Sequence, residues 1–168
     1  MSEQLLRRQL YDAFENRAII YWLIYDELRR EFGAEKAEEI MSRAIYRRGA
    51  MRSEKYAPYA PNDLHGLRDA FVGGLADEGR MFRPEVLRCD SEALDIKFHA
   101  CPLREAWQKL GLPDAEVATL CRIAAKIDDG TFLEAGFQFS SDTWQPGGEG
   151  CCLLHIRPGK PQEDEKPA

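Results

Sequence analysis

The sequence predicts an α+β domain: an antiparallel sheet of about four strands with N-terminal helices and a central helix pair packed on it. Three observations lead there. Apolar residues recur at helical spacing from the start of the chain to about residue 72. The period shortens to two from Pro84. Helical spacing then returns between Cys101 and Asp128, ahead of two closing segments.

Residues 3–32 read as one long helix, in which Leu6, Leu10, Phe14, Ile20 or Tyr21, Ile24 and Leu28 keep helical spacing and Gly33 supplies the stop. The run Ile19-Ile20-Tyr21-Trp22-Leu23-Ile24 predicts burial on more than one side, within the domain or in a homodimer. Residues 34–48 predict a second helix with Ala37, Ile40, Met41, Ala44 and Ile45 on one face, ended by Gly49 as a left-handed residue. The prolines of Tyr56-Ala-Pro58-Tyr59-Ala-Pro61 mark a loop, after which Asn62 caps a short helix that Gly73-Gly74 stop.

Residues 86–89 and 94–99 alternate around Asp90-Ser91-Glu92 as a β-hairpin. Leu94, Ile96 and Phe98 point one way; Asp95, Lys97 and His99 point the other. Pro102 suits the first position of a short helix, because its missing N–H is one the helix leaves unbonded anyway. Pro113 opens another helix that runs to about Asp128. Its buried stripe is Val117, Leu120, Cys121, Ala124 and Ile127, and Asp128-Asp129-Gly130 is its terminal turn. Residues 132–140 and 151–157 read as closing strands. In the last, Cys152, Leu154 and Ile156 alternate with Cys151, Leu153 and His155, so an interior strand covered on both faces is expected. The domain is expected to span residues 1–157, with the polar, proline-rich residues 158–168 as a disordered tail.

The 168 residues suffice for a sizeable core. A net charge of −6 argues against nucleic acid or an anionic membrane surface as partner. No apolar run approaches the roughly 20 residues of a membrane helix, and no signal-peptide pattern opens the chain. The five cysteines, at 89, 101, 121, 151 and 152, are odd in number and lack C-x-x-C spacing. Reduced thiols and a cytoplasmic location are expected, rather than disulfides, a structural zinc site or a bound cofactor. A fold of this class can hold a small molecule between sheet and helices.

Within that frame, Cys101 and Asp128 are the candidate catalytic residues. Cys101 precedes Pro102 at a helix start, where unpaired N–H groups and the positive end of the helix dipole favour a thiolate, the reactive form of cysteine. If the extended parity persists past Phe98, His99 shares a side with Cys101 and can act as its base. Asp128 lies seven residues after Cys121, nearly in line with it on one helix face; burial there would raise its pKa toward that of a general base or acid.

Cys101-Pro102-Leu103, Leu120-Cys121 followed by Asp128-Asp129-Gly130, Ala135-Gly136-Phe137 and Gly147-Gly-Glu-Gly-Cys-Cys152 resemble, in order and spacing, the 2-amino-thiazoline-4-carboxylate hydrolase family over about residues 15–157. The chain departs from that family's pattern where Leu153-Leu154 follow the last cysteine. The resemblance implies an enzyme that opens the ring of a cyclic isothiourea to a carbamoyl-cysteine product. Its cysteines map to Cys101, Cys121 and Cys152 (or Cys151), and its acidic residue to Asp128 (or Asp129). Attack at the ring carbon would come from a Cys101 thiolate or from water activated by Asp128, with His99 or His155 as proton donor and Cys121 and Cys152 lining the pocket. Two rivals make different demands. A non-catalytic ligand-binding or sensor domain of the same fold predicts binding without product. A metal-dependent hydrolase predicts stoichiometric metal, although no His-x3-His or Cys-x2-Cys spacing supports it.

Overall fold

The computed structural model describes residues 2–160, so residues 161–168 of the expected tail lie outside the described residues. Pro158 and Gly159, placed in that tail by composition, are tied to the fold. Gln138 Nε2 donates to the Pro158 carbonyl, and Gly159 N–H donates to the Pro61 carbonyl, both at 2.8 Å.

The architecture is α+β, with five α-helices and one antiparallel sheet among the described residues. Helix α1 (Glu3–Phe32) starts at Ser2, whose side chain accepts from Leu5 N–H, and stops at Gly33, whose φ of 84° suits glycine. Its apolar centre is buried on one side only. Ile20, Leu23 and Ile24 remain nearly half exposed, because α2 (Ala34–Ala50) and α4 (Pro102–Lys109) cover just the opposite face.

Two glycines read as helix ends lie inside helices. Gly49 belongs to α2, and Gly130 to α5 (Asp114–Ala135), which runs seven residues past Asp128 and takes up the start of an expected strand. Here α2 and α5 approach backbone to backbone. A Cβ on Gly49 would overlap the Ile127 carbonyl, and one on Gly130 would overlap that of Tyr46. Thr131 Oγ1 reaches across the contact to the Gly49 carbonyl at 3.3 Å, while donating within its own helix to the Ile127 carbonyl at 2.7 Å. Helix α3 (Leu64–Val72) is capped by Asp63 rather than Asn62, through Gly66 N–H at 2.8 Å.

The sheet runs β1 (Pro84–Cys89), β2 (Leu94–Phe98), β4 (Leu153–Arg157), β3 (Gln138–Asp142). Asp90 closes the hairpin by accepting from the N–H groups of Glu92 and Ala93. Ile96 pairs with Val86 on one side and Leu154 on the other, and Phe139 pairs with Ile156. The last strand is interior, but it is not covered on both faces: Leu154 and Ile156 are fully buried, whereas Leu153, His155 and Arg157 are only half-buried on a polar outer face. The inner face packs Leu94, Ile96 and Phe98 on Phe71, Phe132 and Tyr56, forming a sheet core. A second, helical core joins Ala18, Tyr25, Met41, Trp107, Val117 and Ile123, with Trp107 Nε1 donating to the Ala18 carbonyl at 2.8 Å. Helix α5 passes from one core to the other, and Cys101 touches both.

Candidate functional site

A cavity of ≈ 240 Å³, enough for one small ring, lies at the junction of the two cores. Phe71 and Phe98 enter it from the sheet core, Trp107 and Leu103 from α4, and Phe14 and Tyr21 from α1. It is therefore mainly apolar and rich in aromatic rings, with a few polar groups placed around it.

Four thiols converge there: Cys101 at the start of α4, Cys121 on α5, and Cys151 and Cys152 just before β4. The last two precede the strand, so strand parity does not separate them; both border the cavity, with their sulfurs 3.9 Å apart. Backbone pairs fix them beside β2. Phe98 N–H donates to the Cys152 carbonyl at 2.9 Å, and Cys151 N–H donates to the Phe98 carbonyl at 2.8 Å. The preceding loop is held by Arg104, which donates to the Gly150 carbonyl and lies 5.9 Å from the Trp144 ring centroid.

Cys101 is the N-cap of α4, as expected, and the N–H groups of Leu103 and Arg104 do favour its thiolate. The opposing effects are larger. Its hydrogen bond with Cys151 and its burial push the thiol well above the usual cysteine range. Burial likewise raises Cys121. Cys151 reaches about 12, because the Cys152 thiol and burial outweigh the hydrogen bond from Cys101. These shifts favour the protonated thiol and oppose the activation expected from the helix start.

Asp128 faces the same cavity one helical stretch beyond Cys121. It sits within α5 rather than in a terminal turn, and burial of its carboxyl raises the pKa to about 7, with Arg52 pulling it down and Asp129 pushing it up. Asp129 instead takes an ion pair from Lys126 at 3.0 Å and is not among the cavity-lining residues.

Neither candidate histidine is at the cavity. Strand β2 ends at Phe98 and the chain bends, so the parity linking His99 to Cys101 fails; His99 is exposed and meets Glu85 at 2.7 Å. His155 lies on the outer face of the sheet between Asp95, at 2.9 Å, and Asp142, at 3.0 Å. The two cationic residues of the lining, Arg17 and Arg52, were not singled out from the sequence. Arg17 carried a usable signal: a charge at three- and four-residue spacing from Phe14 and Tyr21, on the inward face of the most apolar helix. Among the described residues no group of three His, Cys, Asp or Glu side chains is placed to hold a metal ion. None of the described helices is long and apolar enough to cross a membrane.

A family model described as L-2-amino-thiazoline-4-carboxylic acid hydrolase matches residues 12–156. No curated protein matches the chain in sequence. Among solved structures, the chain is similar to the crystal structure of the phenol-responsive sensory domain of the transcription activator PoxR with phenol. The TM-score is 0.59 at 16% identity, over 83% of this chain and 73% of that one. At that identity the likeness is one of fold.

Proposed function

We propose that the cavity binds a small cyclic amidine or isothiourea and opens its ring, and the premise is membership: the chain belongs to the L-2-amino-thiazoline-4-carboxylic acid hydrolase family. The observation that carries the reading is Asp128, a cavity carboxyl raised to about 7, where a general base is most effective at neutral pH. The carboxylate removes a proton from water, and the water oxygen bonds to the ring carbon between the two heteroatoms. The bond from that carbon to one ring heteroatom then breaks, and the departing atom takes the proton back from Asp128. The raised pKa of Cys101 favours this water route over direct thiolate attack, and leaves Cys101, Cys121 and Cys152 as walls against the ring.

The test is incubation of the purified protein with 2-amino-thiazoline-4-carboxylate and related cyclic amidines, followed by mass spectrometry. Ring opening is expected, with kcat/KM rising through about pH 7 and the profile retained in Cys101→Ala. If Cys101→Ala abolishes turnover while Asp128→Asn retains it, the thiol route replaces the water route. A second reading has its own support. The cavity is small and largely apolar, burial disfavours the thiolate forms of Cys101, Cys121 and Cys151, and the fold is similar to that of a phenol-responsive sensory domain. A ligand-binding domain of that kind would bind a small aromatic molecule saturably and give no product.

A further inference from the structure

We propose that Arg17 anchors a ligand carboxylate, so that the cavity selects a small anionic ring over a neutral one of the same shape. The identity of the ring rests on the ring-opening reading; the selection for charge does not.

Arg17 sits in the middle of α1 and borders the cavity. Its guanidinium lies 4.5 Å from the Phe14 ring centroid and 6.0 Å from that of Tyr21. Its Nε is buried with no hydrogen-bond partner, and no carboxylate pairs with it among the described residues. Other partly buried arginines of this protein are paired. Arg29 bridges Asp26 and Glu116, Arg122 grips Glu38 through two nitrogens, and Arg7 meets Asp77.

The other cations near the cavity differ from it. Arg52 acts on Asp128 through its charge, with no ion pair between them, and Arg104 donates to the Gly150 carbonyl, although its Nε is also buried without a partner. A guanidinium nitrogen buried without an acceptor is costly. Stacking on ring faces occupies the faces of the guanidinium and leaves its in-plane donors for a planar acceptor; a carboxylate is the group whose two oxygens match that fork. With Asp128 as the negative pole of the same cavity, the complementary ligand is a compact ring bearing a carboxylate and an amidine-type cation.

The test uses benzoate and benzamide, which have the same shape and differ in charge, with binding to the full chain measured by calorimetry. Wild type is expected to bind benzoate at least ten-fold more tightly than benzamide. Arg17→Met should bring the ratio to about one, and Arg17→Lys should keep part of it. Equal affinities in wild type, undetectable benzoate binding, or a preference that survives in Arg17→Met would overturn the proposal. If Arg17→Met does not fold, the wild-type ratio and Arg17→Lys decide. Neither probe has a ring that can be opened, so their binding tests the anchor alone; a carboxylate preference here, together with no ring opening of 2-amino-thiazoline-4-carboxylate, would refute hydrolysis while leaving Arg17 as the anchor.

Discussion

Asp128 and Asp95 are the same side chain in opposite circumstances. Asp95, on the outer face of the sheet, accepts from Arg157 at 2.8 Å and meets His155 at 2.9 Å; burial works against its charge, but these partners outweigh it and hold the carboxyl below its usual pKa. Asp128 has burial without such partners, and its pKa rises to about 7. The paired carboxylate contributes to folding, whereas the unpaired one opposes it at neutral pH. A group held in the protein at a cost to stability, facing a cavity, is where chemistry is to be sought, and an ion-paired cluster on an open face is not.

The largest effect that would sharpen this contrast comes from Asp128→Asn. Turnover should fall by about 100-fold or more, the scale of a lost general base. Stability should move the other way. A carboxyl whose folded pKa is raised from 3.8 to about 7 binds more protons in the folded state between those values, so its destabilising contribution grows as pH rises through that window and stays at its full size above pH 7. The variant should therefore unfold at higher urea than wild type at pH 8, with little difference at pH 4. A less stable Asp128→Asn protein at pH 8 would show that the carboxylate has a native partner, and the contrast with Asp95 would collapse.

Gly130→Ala tests the scaffold that presents Asp128. Alanine is the better helix former, yet its methyl would meet the Tyr46 carbonyl across the α2–α5 contact, so a net loss of about 1–3 kcal/mol is expected in denaturant unfolding. A stabilised variant would mean that the two helices separate without penalty.

The same glycine shows what the sequence conceals. Asp128-Asp129-Gly130 has the composition of a helix stop, and Gly49 closes an equally plausible helix end. Both glycines are there because two backbones touch across a span of about 80 residues, which no local pattern records. Where local chemistry does decide, the reading holds: Gly33 ends α1, Pro102 opens α4, and Cys101 takes the N-cap. The pKa of Cys101 shows where local reasoning stops. The helix start favours the thiolate as expected, but Cys151 arrives from 50 residues downstream and reverses the outcome. His99 fails more simply, because a bend after Phe98 cancels the alternation on which its placement relied. Asp128 needed no distant information, since helical spacing from Cys121 is enough to put both on the cavity side.

The smallest predicted effect probes the other half of the contrast. His155 is held between Asp142 and Asp95; the hydrogen bonds to both raise its pKa against the opposing effect of burial. A histidine whose folded pKa is raised stabilises the fold fully below its unfolded value of about 6.5, and loses that contribution as pH rises through the folded value. His155→Asn should thus lower stability at pH 6 by less than about 1 kcal/mol, because Asp142 is largely exposed and such pairs are weak. The difference should shrink toward pH 9. Turnover should be unchanged, since His155 faces away from the cavity while its neighbours Leu154 and Ile156 pack inward. A clear fall in kcat would mean that β4 transmits the state of the outer cluster to the cavity wall, and the two carboxylate regions would then be one system rather than two.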